Sequence, residues 1–400
     1  MLHNDKRYGW ETDILSAGHF APRPVDSPEI LPIYMTNQFQ PEDLDDLIRR
    51  NNSRNFGYNR NGNPNRSSLA EAMTCLEGGV ASEACTSGMG AIFTSIMALV
   101  KQGDHVVASN VLYGETYEIF NDILSQFGVE TTFLDITDLD AVKAAMRPNT
   151  VLVYTETLSN PLCVASDIRS LADIAHANNA RLIVDNTFMT GAIYRPLEDG
   201  ADIVVNSVTK FVNGHNDVTA GSATSNDPEL IKKIHHIQIL AGTMTDPFAS
   251  WLALRGIRTI SLRMERACQN AAALAKAFSE SPYVLKVHHP SLETAKDHEL
   301  AKRQFHGCYG PMLAIDLPED RDKISAFLRA CNLGHYAGTL GGYTTTFSYP
   351  PLSSHDTMTT EELYAINITQ GTLRISCGIE KTEHLVTDML EALEAAYGNN

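Results

Sequence analysis

Several features are missing from this 400-residue sequence, and each absence narrows what the chain can be. No stretch approaches the ~20 consecutive apolar residues that cross a bilayer. Met1–Phe20 mixes charged and polar residues and lacks the apolar run of about 7 to 15 residues typical of a secretory signal. The expectation is a cytoplasmic protein with no membrane partner. Positive charge is also scarce: 31 Lys and Arg stand against 48 Asp and Glu, and a formal charge of -17 argues against sequence-independent binding to nucleic acid. The seven cysteines, Cys75, Cys85, Cys163, Cys268, Cys308, Cys331 and Cys377, contain no C-x-x-C spacing, so neither a zinc knuckle nor a redox pair is expected. Their odd number and scatter suit a reducing compartment. His235-His236 and His288-His289 are adjacent pairs, which do not face one another on a helix, and no metal site is expected. No Ser-His-Asp set is recognisable.

What is present is enough chain for more than one hydrophobic core, and the pattern divides it. Residues 1–60 are rich in Asn, Arg, Pro and Asp and read as an extended arm, with Asn51 to Pro64 its most polar run. Residues 61–255 alternate helical stretches with short apolar runs at His105–Ala108, Val151–Tyr154, Leu182–Asp185 and Asp202–Asn206. That rhythm indicates βαβ units and a mostly parallel sheet, which makes this part an α/β domain. Asp167 is a plausible N-cap for a helix whose apolar face is Ile168, Leu171, Ala172, Ile174 and Ala175. In residues 256–400 the pattern loosens after Arg255. It resumes with a strand at Met312–Leu317, a helix near Asp322–Ala330, a polar loop over Gly338–Thr360, a strand at Thr372–Ser376 and a last helix from Lys381 to Ala396. This part reads as a smaller α+β lobe.

The chemistry concentrates where the apolar runs end. In Asn206-Ser207-Val208-Thr209-Lys210, two hydroxyls able to donate to a phosphate precede a lysine whose partial desolvation lowers its pKa and lets it form an imine. Alone, Lys210 could be a solvated strand-end lysine. Its context decides otherwise, because Asp185 ends another buried strand at the same sheet edge, where it can pair with a protonated pyridine nitrogen. Ser87-Gly88-Met89-Gly90 opens a helix rich in apolar residues, and a helix N-terminus with glycines favours a dianionic phosphate. The G-x-G there lacks the third glycine of a dinucleotide fingerprint. Together these features point to pyridoxal 5′-phosphate. Tyr113, after the strand at Val106, is either a ring-stacking acid/base group or an ordinary packed tyrosine.

The segment Ser207–Lys210 with Gly214-His215-Asn216-Asp217-Val218 closely resembles the signature of the pyridoxal-phosphate enzymes of Cys/Met metabolism. These include cystathionine γ-synthase, cystathionine γ-lyase and methionine γ-lyase. The resemblance spans nearly the whole chain in order: Tyr58-x-Arg60 with Asn63-Pro64, Ser87-Gly88-Met89, Leu112-Tyr113-Gly114, Glu156 with Asn160-Pro161, Asp185-Asn186-Thr187, Arg255-Gly256, Thr339-Leu340-Gly341 and Leu373-Arg374-Ile375-Ser376. It implies fold type I: a large domain with a mainly parallel seven-stranded sheet and a small C-terminal α+β domain. It also implies γ-elimination or γ-replacement on a homoserine- or cystathionine-type amino acid. By the same resemblance, Lys210 carries the cofactor and shuttles protons, Asp185 pairs with the ring nitrogen, and Tyr113 stacks and acts as acid/base. Asn160 meets the phenolic oxygen, and Ser87, Gly88, Met89, Ser207 and Thr209 hold the phosphate. Tyr58 and Arg60 reach the phosphate of a neighbouring subunit, implying dimers paired into a homotetramer. Arg374 grips the substrate carboxylate, and Thr339 keeps the hydroxyl of the family's usual Ser.

The departures bear on specificity. Glu115 stands where the family usually has Gly or Cys, and a carboxylate there could attract a cationic, canavanine-like side chain or an amine nucleophile, or could simply pair locally. Tyr343-Thr344-Thr345-Thr346 lacks the acidic residue common among cystathionine enzymes. A β-lyase of the same family and a non-catalytic pyridoxal-phosphate-binding protein are the competing readings.

Overall fold

The computed structural model describes residues 8–18, 28–52, 56–356 and 358–398. Seven strands form the first sheet: β1 (Ala81–Cys85), β2 (His105–Ser109), β3 (Glu130–Leu134), β4 (Thr150–Glu156), β5 (Arg181–Asp185), β6 (Ile203–Asn206) and β7 (Gly221–Ser225). Their order is β1-β7-β6-β5-β4-β2-β3. Pairs from β6 through β5, β4 and β2 to β3 are parallel, whereas β7 runs antiparallel to both β6 and β1. Hence β1 and β6 point the same way, and the segments that follow β1, β2, β4, β5 and β6 emerge at one edge. Side chains alternate between the faces of a strand. Val107, Val153, Leu182, Val184 and Val204 join one apolar cluster, while Val106, Leu152, Tyr154, Ile183, Ile203 and Val205 join another on the opposite face. Helices cover both faces, which is why these strands read as unbroken apolar runs.

A second sheet comprises β8 (Lys286–His288), β9 (Met312–Asp316), β10 (His335–Tyr336), β11 (Thr346–Ser348) and β12 (Thr372–Ser376), in the order β10-β11-β12-β9-β8. Its core includes Leu313, Ile315, Phe327, Phe347, Leu373, Ile375 and Met389. The helix at Ile168–Ala177 starts as expected, with the Asp167 side chain accepting from the Ser170 N–H at 3.1 Å. The helices at Arg321–Ala330 and Thr382–Tyr397 also lie where the periodicity put them.

Three expectations need correction. The polar loop over Gly338–Thr360 contains β11 and a 3₁₀ turn at Pro350–Leu352; a three-residue strand is too short to show a period. The loosened pattern after Arg255 hides a 20-residue helix, Ile260–Ser279, because its buried face includes the polar Arg263 and Asn270. Residues 1–60 are not uniformly extended: Leu44–Asn52 is helical, Ile14 is buried in the main core, and the Trp251 indole donates to Leu31 O at 3.1 Å. Within the run expected to be most polar, residues 53–55 lie outside the described residues. Among the described residues, no helix is long and apolar enough to cross a membrane.

Arg263 ties the long helix to the turn after Lys210. Its guanidinium donates to Phe211 O at 2.6 Å, Val212 O at 3.0 Å and Gly256 O at 3.0 Å. Arg263→Met keeps the bulk but leaves the Phe211 and Val212 carbonyls without their donor. The expected loss is about 2 to 4 kcal/mol, read as a lower urea midpoint with unchanged slope.

Candidate active site

The sheet edge opens into a cavity of about 450 Å³, the position at which open α/β sheets collect ligands. It is lined by Ser87, Gly88, Met89, Tyr113, Glu115, Asn160, Asp185, Ser207, Thr209, Lys210 and Arg374, residues drawn from strand ends far apart in sequence. Thr339 reaches the same place through its hydroxyl, which accepts from Lys210 Nζ at 3.2 Å. Tyr58 and Arg60 are not brought there. Arg60 donates to Ile239 O at 3.2 Å and its guanidinium lies 5.5 Å from the centre of the Tyr58 ring.

Two carboxylates sit side by side in the wall. Glu156 and Asp185 are register partners at the ends of β4 and β5. Glu156 accepts from the backbone N–H groups of Tyr113 at 2.8 Å and Asn160 at 3.1 Å. Asp185 accepts from the Thr187 N–H at 2.9 Å. Asp185 keeps some accessible surface because it opens on the cavity, but the walls hold it away from bulk water. That burial pushes its carboxyl up to about 6 against the pull of the Thr187 hydrogen bonds. Burial, and then the neighbouring Asp185 charge, drive Glu156 higher still. Two like charges on neighbouring strand ends resist simultaneous ionisation, so the pair favours an incoming cation.

The cations face them. Burial lowers the pKa of Lys210, Arg374 lowers it further, and Glu115 opposes. Arg374 on β12 is buried, and burial brings its guanidinium down to about 10. It donates to Asn160 Oδ1 at 2.9 Å and weakly to Thr339 O at 3.5 Å, while its Nε has no hydrogen-bond partner among the described residues. A buried guanidinium with an orphaned N–H and no carboxylate beside it is built for an incoming anion. The Tyr113 hydroxyl donates to Glu115 Oε1 at 2.9 Å; burial and then the Glu115 charge hold its proton on.

These residues fit a phosphorylated pyridine aldehyde. The helix Gly88–Met97 starts at the cavity with Ser87 as N-cap, and its first N–H groups lack intrahelical acceptors. A Cβ on Gly88 would lie 2.7 Å from Ser207 Cβ, so glycine keeps that corner open. The Ser207 hydroxyl has no partner among the described residues, whereas the Thr209 hydroxyl already donates to Ala220 O at 3.1 Å and accepts from Ala220 N at 3.0 Å. Gly341, at φ 82°, allows the chain before β11 to pack on the Lys210 backbone. The sequence reading missed Glu156 as a wall residue, although it ends a strand at the same edge as Asp185 and the rule that found Asp185 applies to it. It gave no role to Thr187, although that residue follows Asp185 in the motif Asp185-Asn186-Thr187, and it missed Ser353 and Ser354, which line the cavity from an irregular segment with no sequence signal.

A strand-end lysine, a buried aspartate opposite and a helix N-terminus for phosphate define a pyridoxal-phosphate enzyme of fold type I. The chain belongs to the Cys/Met metabolism PLP-dependent enzyme family, whose model matches residues 11–394. It is 38% identical over 394 residues to an L-methionine gamma-lyase of Fusobacterium nucleatum subsp. polymorphum, covering 97% of this chain and 99% of that one. It is 40% identical over 339 residues to a cystathionine gamma-lyase of Bacillus subtilis, covering 85% and 89%. Among solved structures, a cystathionine gamma synthase from Xanthomonas oryzae pv. oryzae in complex with cystathionine superposes with a TM-score of 0.93 at 32% identity, over 99% of this chain and 100% of that one. The chain is an enzyme, and pyridoxal 5′-phosphate is its cofactor.

The charge arrangement fixes the sign of a pH effect. In the apoenzyme, Lys210 is expected to react with an acylating reagent at a pH below that of an ordinary lysine, ~10.4. Arg374→Gln removes a repelling cation and moves the reactive pH up; Glu115→Gln removes an attracting anion and moves it down. Labelling of the Lys210 peptide against pH, followed by mass spectrometry, measures both shifts.

Proposed function

We propose that the enzyme catalyses γ-elimination or γ-replacement on a homoserine- or cystathionine-type amino acid, with Lys210 and Tyr113 as its proton carriers. The observation that carries this reading is the convergence of Lys210, Tyr113 and Arg374 on one cavity. Bound pyridoxal phosphate supplies an aldehyde that holds the substrate amine and a ring that withdraws electrons from its carbons. Arg374 takes the α-carboxylate and so orients the Cα–H toward Lys210. The Lys210 amine, favoured in its neutral form by burial and by Arg374, removes the α proton and then serves the β carbon. Tyr113 retains its proton beside Glu115 and delivers it to the departing γ group. Ser87, Gly88, Met89 and Ser207 hold the phosphate, and Asp185 faces the ring nitrogen. Asn160, already holding Arg374 through Oδ1, has its amide N–H groups for the ring oxygen. Tyr58 and Arg60, which lie outside the cavity of their own chain, complete the site of a neighbouring subunit.

γ- and β-elimination share these groups until the first proton has moved. Cystathionine separates them: γ cleavage yields 2-oxobutyrate, cysteine and ammonia, whereas β cleavage yields pyruvate, homocysteine and ammonia. The expected product is 2-oxobutyrate. Pyruvate alone overturns the γ assignment, and no turnover of any amino acid in a panel of homoserine esters, cystathionine, methionine and canavanine overturns the enzymatic one. Tyr113→Phe is expected to lower kcat about 10² to 10⁴-fold while changing KM little, because it removes the acid and keeps the ring.

Glu115 supports a finer reading. Its carboxylate lines the cavity, bonded to Tyr113 and in no ion pair among the described residues, which suits a substrate or nucleophile with a distal positive group. None of the relatives named above carries a cationic substrate in its name. Glu115→Gln is expected to lower kcat/KM for canavanine-like substrates about tenfold relative to neutral ones. Equal effects on both classes refute it.

A further inference from the structure

We propose that Glu77, outside the cavity, is a positioning residue that fixes the Asp185 and Lys210 segments relative to one another. Glu77 ends the helix Pro64–Glu77 and is fully buried beneath the ends of β5 and β6. Its Oε1 accepts from the Gly191 N–H at 2.8 Å and from Asn206 Nδ2 at 2.9 Å, and its Oε2 accepts from Asn186 Nδ2 at 3.1 Å. Asn186 directly follows Asp185, and Asn206 is the last residue of β6, immediately before the Ser207–Lys210 segment. One carboxylate therefore clamps the two strand ends that present the group facing the ring nitrogen and the lysine that binds the aldehyde.

The clamp has no slack. The other Asn186 amide hydrogen goes to Tyr194 O at 2.8 Å, and its Oδ1 accepts from the Thr157 hydroxyl at 2.8 Å. Asn186 thus cannot flip without losing partners on both sides. Asn206 Oδ1 is buried with no partner among the described residues, so Glu77 is what orients that side chain. All three groups that meet Glu77 are donors, which only an acceptor on both oxygens satisfies. Glutamine has the same shape but turns an N–H toward an N–H, either at Asn186 or at Asn206 and Gly191. Burial pushes the Glu77 carboxyl up to about 7, against the pull of its three hydrogen bonds and of Arg195, which approaches from the helix end and donates to Leu76 O at 3.0 Å and Cys75 O at 3.2 Å.

The inference rests on Asp185 and Lys210 being the cofactor's partners, and its test reads the cofactor directly. Apoenzyme is titrated with pyridoxal phosphate for the wild type, Glu77→Gln, Asn206→Ala and Phe327→Leu, and the melting temperature of each apo form is recorded. Phe327 lies in the core of the second sheet and controls for lost stability alone. Glu77→Gln is expected to weaken pyridoxal phosphate binding about tenfold or more, and Asn206→Ala in the same direction by less. Phe327→Leu lowers the melting temperature without moving the affinity. If Glu77→Gln does not fold, Asn206→Ala decides. Affinities within about twofold of wild type in either clamp variant, or an equal loss in Phe327→Leu, overturn the role of Glu77. A wild type that does not bind pyridoxal phosphate overturns instead the assignment of Asp185 and Lys210.

Discussion

Asp185 and Lys210 come from adjacent strands and face one part-buried cavity, and the rest of the site is arranged around keeping them apart. A buried charge without a partner costs several kcal/mol, and a direct Asp–Lys ion pair would relieve that cost while closing the cavity. The parallel sheet prevents this collapse. It delivers Asp185 and Lys210 from adjacent strands and fixes the residues beside them: Asn186 and Asn206 on Glu77, Ser207 N–H on the Thr187 hydroxyl, Thr209 on Ala220 and Phe211 on the Arg263 guanidinium. What remains between them is a gap whose charge pattern matches a protonated ring, an aldehyde and a phosphate.

The second sheet adds what the first cannot. Arg374 enters from β12 and Thr339 from the chain before β11, so the buried guanidinium and the hydroxyl that holds Lys210 Nζ come from elements outside the first sheet. Arg374 also acts at a distance, because its charge favours the neutral amine of Lys210 that proton removal requires. Glu115 acts the other way on Lys210 and keeps the proton on Tyr113. One carboxylate therefore acts on both Lys210 and Tyr113.

The cavity wall is built from two kinds of segment. The groups facing the cofactor sit on strand ends, where the ladder of hydrogen bonds leaves little freedom. Glu115, Ser353 and Ser354, which also line the cavity, lie on a short helix and a loop. The relatives' names, divided between γ-lyases and a γ-synthase, vary within the same frame.

Much was readable before the structure. Strands buried on both faces must be apolar at every position, so β2, β4, β5 and β6 stood out, and with them the polar residues at their ends, Asp185 and Lys210. Order along the chain and local motif also marked Ser87 to Met89, Tyr113 and Arg374. The strands β1 and β7 did not stand out, because short segments of small and polar residues such as Gly-Ser-Ala-Thr-Ser are buried by hydrogen bonding, as between Ser82 and Thr224 at 2.8 Å, and not by apolar pattern; β3 is an edge strand with no fully buried residue. Only the tertiary structure decided that Glu156 stands beside Asp185, that Glu77 joins Asn186 to Asn206, and that Arg374 keeps an unpaired N–H. Each of these depends on which strand ends meet. That is fixed by strand order and packing across more than a hundred residues, and no local spacing encodes it.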